Sequence, residues 1–257
     1  MSRLKAFPTF CAASALALAA GTADAATITI ASVTGFWTGW TGGDESVSVT
    51  DGNPTLIRWG ELDTSPRKVK SGYDFTGLMP PETAFEHDES IIVGELSHLN
   101  YAIPDYAAIK QASLQVVFNF WLDSDTRDAA SMRTITSNFV FDHTETPNNP
   151  ASGMCPNGIA WGEGINSSGC ADLVLASTNP SNSTSIRIGD NIYTLDVTGF
   201  MIGDAPMKQF WTQEGKRSSA QLVAHFTVAP IPLPAAGFLL LGGLGALGAL
   251  SRRRKSA

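Results

Sequence analysis

A histidine and an asparagine two positions apart form the first candidate site for ligand binding in this sequence. They lie in residues 94–103, where Ser97, His98 and Asn100 occur together. On a β-strand, residues two positions apart point to the same face, so we expect His98 and Asn100 to act as a pair. Such a pair could bind a metal ion or a sugar hydroxyl, or it could tie down a loop by bonding backbone groups. The sequence favours the structural role.

A group of three carboxylates within six residues is the second candidate site. Asp123, Asp125 and Asp128 follow the end of a strongly apolar segment. Ca²⁺ binds about six to eight oxygen ligands, so carboxylates this close together could gather on one ion. The group is therefore a candidate calcium site. Arg127 lies within it and would oppose a cation, so the sequence favours the alternative of a solvated acidic turn.

The cysteines form a third pattern. Cys11 lies in the N-terminal leader described below, which leaves Cys155 and Cys170 in the body of the chain. An even pair in an exported protein predicts a disulfide. The loop it would close has about 15 residues, for which the chain-entropy model gives about 3 kcal/mol of stabilisation. A metal-binding pair is the alternative, although no Cys-x-x-Cys motif occurs and neither cysteine has a histidine nearby in sequence.

Catalytic motifs are absent from the sequence. It contains no Gly-x-Ser-x-Gly, no His-Glu-x-x-His and no phosphate-binding loop. The acidic residues fall mainly in predicted turns, so we expect a protein that is not an enzyme. A hydrolase of extracellular polymers, with carboxylates as acid and base, is one alternative. A calcium-dependent carbohydrate-binding module is another, because the chain has six tryptophans, although most of them are expected in the core.

The elements that must position these residues are predicted to be strands. Residues 112–122 alternate strictly, with Leu114, Val116, Phe118 and Phe120 on one face, which indicates a half-buried strand. Residues 34–43 are rich in glycine and tryptophan and are predicted to form a turn region. Further strand predictions cover residues 27–33, 46–50, 55–59, 72–75, 91–99, 133–141, 171–176, 184–188, 191–197 and 221–228. About ten short strands without a convincing amphipathic helix favour an all-β fold, an antiparallel, jelly-roll-like β-sandwich. A closed barrel is the alternative.

Both termini carry targeting patterns. Residues 1–25 combine a basic start, an apolar stretch and a small-x-small site at Ala23–Ala25, which predicts a signal peptide removed by signal peptidase. Residues 230–257 combine a proline-rich segment, an apolar run of 17 residues and the basic cluster 252–255. That run predicts a short transmembrane helix whose basic end stays in the cytoplasm. The β domain would then occupy residues 26–229, outside the cytoplasm.

The charge of the remaining chain excludes one class of partner. The chain has 17 basic and 24 acidic side chains, of which the two terminal signals take six and one, leaving a net charge of −12. Such a surface disfavours nucleic acid and anionic lipid. It suits a soluble exported protein.

The C-terminal pattern resembles a known sorting signal. Ile231 is followed by Pro232, Leu233, Pro234, Ala235 and Ala236, and this motif is similar to the VPLPA variant of bacterial PEP-CTERM signals, with isoleucine in place of valine. The resemblance implies cleavage near the motif by a membrane-embedded exosortase-type transpeptidase. It also implies transient residence in the inner membrane, then display on the cell surface or in the extracellular matrix. As a separate hypothesis, we expect such a surface or matrix component to associate with extracellular polysaccharide. An uncleaved single-pass anchor is the alternative.

A second resemblance lies within the domain. Residues 97–100, with Ser97, His98 and Asn100, resemble the Thr-His-x-Asn signature of the THxN family of PEP-CTERM proteins, with serine in place of threonine. Choice-of-anchor K domains are similar in the earlier part. Supporting segments occur at residues 58–60, 71–75, 145–148 and 169–172. The resemblance implies an exported, surface-sorted β domain, and it brings no established catalytic role for the histidine and asparagine.

Overall fold

The computed structural model describes residues 27–60, 69–78, 83–86, 88–177, 184–231, 242, 243 and 245. The predicted signal peptide (1–25) and the sorting motif (232–236) lie outside these residues, as does most of the predicted transmembrane helix. Within the part of the chain that is described, no helix is long and apolar enough to cross a membrane.

The described residues form an all-β, antiparallel structure, as the sequence predicts. Its strands are β1 (Ile28–Gly42), β2 (Ser48–Thr50), β3 (Thr55–Trp59), β4 (Ser71–Gly77), β5 (Thr83–Phe85), β6 (Ser90–Asn100), β7 (Ile109–Leu122), β8 (Arg133–Thr144), β9 (Asp172–Ser177), β10 (Thr184–Ile188), β11 (Asn191–Ile202), β12 (Ala205–Met207), β13 (Gln209–Thr212) and β14 (Lys216–Pro230). Two single-turn 3-10 helices, Asp105–Ala107 and Gly164–Asn166, interrupt the loops.

The strands form two sheets that pack face to face. The six-stranded sheet has the order β13-β9-β8-β7-β1-β5. The eight-stranded sheet has the order β10-β11-β14-β6-β4-β3-β2, with β12 beside β11. The first and last strands of the domain, β1 and β14, therefore lie inside their sheets, each hydrogen-bonded on both sides.

Aromatic side chains hold the two sheets together. Phe226 on β14 packs against Phe118 and Phe120 on β7, with ring centroids 5.9 and 5.4 Å apart. The inward face of β7 is the one that its sequence predicts, and Leu114, Val116, Phe118 and Phe120 are all fully buried. Each such side chain contributes about 1.5–3 kcal/mol when it is removed from water.

The prediction of a turn region at residues 34–43 is wrong. Residues 34–42 belong to β1, which pairs with β7 along its whole length, with register shifts at Ile30/Ser32, Trp37/Gly39 and Thr41/Gly42. The glycines misled the prediction, because a glycine in a strand can also serve close packing between sheets, as Gly35 does. A Cβ atom on Gly35 would lie 2.4 Å from the ring of Phe75 on the opposite sheet. The strands are also longer than expected, since β1, β7, β8, β11 and β14 each have 12 to 15 residues.

The predicted disulfide is confirmed. Cys155 and Cys170 are bonded, 15 residues apart, and both are buried. Asn166 lies inside the loop they close, and its side chain bonds Asn157, the Ile159 carbonyl and the Ala171 amide. The bridge therefore fixes the segment that leads directly into β9.

Removing the bridge should destabilise the whole domain. The double variant Cys155→Ala/Cys170→Ala should lose about 3 kcal/mol of unfolding free energy, because the unfolded chain regains the entropy of the open loop. Urea denaturation of the full chain measures this loss. Thiol labelling of the oxidised, denatured wild type is the control, and two reactive thiols there would contradict the bridge.

Candidate functional site

Polar side chains replace aromatic ones at one end of the space between the sheets. The C-terminal ends of β6, β8 and β13 meet the N-terminal ends of β9 and β14 there, since Thr212 pairs with Asp172 and Asn100 with Lys216. We call the following group the polar cluster: Tyr73, His98, Asn100, His143, Glu145, Asp172, Thr212 and Glu214.

The eight-stranded sheet supplies the histidine and asparagine predicted from sequence. On β6 the inward positions run from Leu96 to His98 and Asn100, and the last two are fully buried. Ser97 points the other way, and its hydroxyl lies 2.7 Å from that of Ser219 on β14. The polar residues of the Ser-His-x-Asn segment therefore lie on opposite faces of β6. The serine links β6 to β14 on one face, and the histidine and asparagine face the interior on the other.

The six-stranded sheet supplies the partners. His143 lies near the end of β8, Glu145 follows that strand, and Asp172 begins β9. Thr212 ends β13, and Glu214 belongs to the turn that carries the chain across to β14 in the other sheet. His143, Asp172 and Glu214 are all buried.

Hydrogen bonds to Thr212 orient the β6 pair. The Nδ1 atom of His98 lies 2.8 Å from the Thr212 hydroxyl. The Asn100 amide donates to the Thr212 carbonyl over 3.0 Å, and the Thr212 hydroxyl donates to the Asp172 carbonyl over 3.3 Å. These bonds connect the two sheets through one threonine.

The second histidine is held in the same way. The Nδ1 atom of His143 lies 2.8 Å from the hydroxyl of Tyr73. The two imidazole rings meet edge to face with centroids 5.0 Å apart. Trp59 stacks on His98 at 5.7 Å, so both rings are fixed by packing as well as by hydrogen bonds.

Several buried polar atoms of the cluster have no hydrogen-bond partner among the described protein groups. They are Nε2 of His98, Nε2 of His143, Oδ1 of Asn100, both carboxyl oxygens of Glu145, Oδ2 of Asp172 and Oε2 of Glu214. An unsatisfied buried polar group costs about 1–3 kcal/mol, so a concentration of them in one place requires an explanation.

Residues that carry these unpartnered atoms also lie close together. One ligand atom from each of His98, His143 and Asp172 lies within 4.8 Å of the others, and the carboxyls of Glu145, Asp172 and Glu214 form a second such set. Both sets are groups that can hold a metal ion, and Asp172 belongs to both.

In the metal-free protein, burial keeps the side chains of the polar cluster largely uncharged near neutral pH. Burial, and then the neighbouring Glu145 carboxylate, raises the pKa of Asp172 to about 8. Burial, and then Glu214, raises the pKa of Glu145 to about 8, and burial raises that of Glu214 to about 7. Burial lowers the pKa of His143 to about 4 and that of His98 well below its usual value. The 3.6 Å approach of His143 to Glu145 is therefore a contact between neutral groups around pH 6.

Sequence reasoning missed most of this site. His143, Asp172 and Glu214 are far apart in the chain, and no short motif connects them. The sequence did contain a pattern that could have identified His143 and Asp172. On β8 the inward positions Ser137, Phe139 and Phe141 lead by steps of two to His143, and on β9 Asp172 starts the inward row. A titratable side chain that extends an apolar face predicts a polar site between sheets.

The aspartate group after β7 is organised differently. Asp125 accepts the Leu122 backbone amide over 2.9 Å and pairs with Arg133 at 3.2 Å. Asp128 accepts the amides of Ala130 and Ser131 over 3.0 and 2.9 Å. The group is not among the sets of described His, Cys, Asp and Glu residues whose ligand atoms converge. The carboxylates of Asp125 and Asp128 support the turn, and the calcium site at Asp123, Asp125 and Asp128 stays a prediction.

The variant Asp125→Ala distinguishes a role in supporting the turn from a role in binding calcium. It removes a backbone acceptor and an ion-pair partner, so it should cost about 1–3 kcal/mol of unfolding free energy. Urea denaturation should give the same loss in EDTA and in millimolar calcium. Asp123→Ala is the matched control and should change stability by less than about 0.5 kcal/mol. Calcium that stabilises the wild type but not Asp125→Ala would contradict the turn role and support the calcium site.

The polar cluster should give the metal-free protein a distinct pH dependence. The pKa values of Asp172, Glu145 and Glu214 are raised on folding, so the folded protein binds protons that the unfolded chain releases, and this stability is lost as pH rises through the folded pKa values. Burial lowers the pKa values of His98 and His143, so both oppose the trend, mainly below the unfolded histidine pKa of about 6.5. In EDTA, the melting temperature should therefore be a few degrees higher at about pH 6.5 than at about pH 8.5.

Asp172→Asn is the control for this measurement. An amide oxygen can still accept the Thr146 backbone amide that Asp172 Oδ1 accepts over 2.8 Å, but the side chain no longer titrates. The difference in melting temperature between the two pH values should shrink. A wild-type melting temperature that rises with pH over this range would contradict the assignment.

The chain matches no protein-family model and none of the curated proteins with which it was compared. Its function must therefore be inferred from its own residues.

Proposed function

We propose that the chain is an exported β domain, sorted to the cell surface or extracellular matrix, that is not an enzyme. Signal peptidase removes residues 1–25, and an exosortase-type transpeptidase cuts near residues 232–236. The support for this proposal at the termini is the resemblance of the C-terminal motif to the VPLPA type of PEP-CTERM signal, and within the domain the resemblance of residues 97–100 to the THxN signature.

The single structural observation that carries the proposal is the Cys155–Cys170 disulfide. Structural disulfides form and persist in oxidising compartments and are rare in the cytosol. Both sulfurs are buried, and the closed loop is packed against the end of the sandwich. Such a bridge supports the proposal that the domain folds after export. We also propose that the β-sandwich has a jelly-roll-like topology.

The position of the carboxyls supports a function other than catalysis. Asp172 is fully buried and Glu214 is 3% exposed, so a polymer chain could not reach them without opening the sheets. A secreted hydrolase is the second candidate, and the observation that favours it is a close group of carboxyls with raised pKa values. Hydrolases of polymers present such groups in an accessible cleft, whereas here they lie in the core.

Association with extracellular polysaccharide is part of the proposal. Trp40 and Trp161 are 44% and 48% exposed. Only Trp37 and Trp59 are buried and the other two tryptophans are partly buried, so fewer tryptophans lie in the core than the sequence predicts. An exposed indole can stack on a sugar ring. Nucleic acid is not an expected partner, because the negative net charge of the domain repels its phosphates.

Sorting is tested by mass spectrometry of the mature protein from its native host. The expected product lacks the leader and ends near residues 232–236, because both signals are removed. Deletion of the host's exosortase-type enzyme is the control and should leave the tail in place. A mature pool whose C-terminus is Ala257 would contradict the proposal.

A further inference from the structure

We propose that His98, His143 and Asp172 bind one divalent transition-metal ion of the zinc class, with Glu145 as the fourth ligand. The ion would have a structural role, joining the two sheets at the end of the sandwich. This inference does not depend on where the chain is sorted.

The first support is the donor set. Two imidazoles and a carboxylate from three different strands bring their ligand atoms within 4.8 Å of one another in the interior. Ligand atoms around a tetrahedral zinc ion lie about 3.4 Å apart, which follows from bonds of about 2.0–2.1 Å. The three groups therefore need to approach one another by little more than about 1 Å.

The second support is the state of the histidine nitrogens. Both Nδ1 atoms have hydroxyl partners at 2.8 Å, Thr212 for His98 and Tyr73 for His143. Both Nε2 atoms are buried and have no hydrogen-bond partner among the described protein groups. Histidines that bind metal through one nitrogen almost always donate the other ring N–H to a hydrogen-bond acceptor. The hydroxyl oxygens of Thr212 and Tyr73 are placed to accept such a bond from Nδ1, which would leave each Nε2 free to bind an ion.

The third support is charge balance. Glu145 places Oε2 3.6 Å from Nε2 of His143, and neither of its carboxyl oxygens has a hydrogen-bond partner. Two neutral imidazoles and two carboxylates neutralise one divalent ion, which a low-dielectric interior requires. Four protein ligands also complete a tetrahedral site and leave no open position for water, whereas catalytic zinc sites keep such a position.

The donor types select the class of metal. Imidazole nitrogen suits zinc, copper, nickel and iron, whereas calcium and magnesium prefer oxygen ligands alone. The Glu145, Asp172 and Glu214 set offers only oxygens, but it shares Asp172 with the histidine set. Both sets need Asp172, so the two sets cannot each hold an ion of their own. A nitrogen-preferring ion explains more of the unpartnered atoms, because it also accounts for the two histidine Nε2 atoms that lack a hydrogen-bond partner among the described protein groups.

The first measurement is the metal content of the full chain, exported in the expression host and purified without chelators. Elemental analysis should find about one zinc-class ion per chain. His98→Gln and His143→Gln should each lower the content at least tenfold. His225→Gln is the matched control, because His225 lies on β14 outside both convergent sets, and it should retain the ion.

The second measurement is thermal melting after the ion has been removed with EDTA. Added Zn²⁺ should raise the melting temperature of the wild type and of His225→Gln, because an ion that binds only the folded state stabilises it. Millimolar Ca²⁺ should not. Co²⁺ should produce the intense visible absorption of a tetrahedral nitrogen–oxygen site in the wild type and not in His143→Gln.

Milder variants decide the question if the histidine variants fail to fold. Thr212→Val removes the hydroxyl that orients His98 and should weaken Zn²⁺ affinity about 10–100-fold. Glu145→Gln should weaken it as well, and far-UV circular dichroism with thiol labelling checks that both variants fold and form the disulfide. A wild type without bound metal and without a response to Zn²⁺ would overturn the proposal, as would restoration by Ca²⁺ in place of Zn²⁺ or an unchanged metal content in folded His98→Gln and His143→Gln.

Discussion

Contact between the aromatic faces of β7 and β14 is the interaction on which the rest of the structure depends. Phe226 meets Phe118 and Phe120 across the space between the sheets, and Phe85 and Tyr193 pack around it. Each of these two strands lies inside its own sheet, so this contact fixes the relative position of both sheets. Every other inward residue must then fit the gap that the phenylalanine rings determine.

The polar cluster occupies the end of that same gap. Along β6 and β8 the inward rows change from apolar residues to His98, Asn100 and His143 without leaving the interior. Burial there removes charge from carboxyls and imidazoles alike, because the charged forms lose their hydration. Groups placed in this way either share protons or surround a cation, and either arrangement joins the two sheets at a point where apolar packing has ended.

The disulfide loop and the cluster form one structural unit. Cys170 lies two residues before Asp172, and the Thr146 hydroxyl donates to the backbone carbonyls of Cys170 and Ala171. A Cβ atom on Gly169 would lie 2.6 Å from Asn148 and 2.8 Å from Glu214, so the loop approaches the cluster closely. An oxidising compartment would therefore set the position of Asp172 as well as close the loop. A role as a stable surface or matrix component suits a domain whose most unusual residues are buried.

The sequence by itself determined the all-β class, the position of most of the long strands and the buried face of β7. Strict alternation on β7 identified its buried side chains, the spacing of His98 and Asn100 placed both on one face, and the two remaining cysteines identified the bridge. These features depend on neighbours within one strand or on a single pairing, so local pattern is sufficient. Only the tertiary structure decided which strands meet and which residues share a site. His143, Asp172 and Glu214 join His98 because β8, β9 and the turn after β13 end at the same place as β6, and that placement is set by packing between residues far apart in the chain.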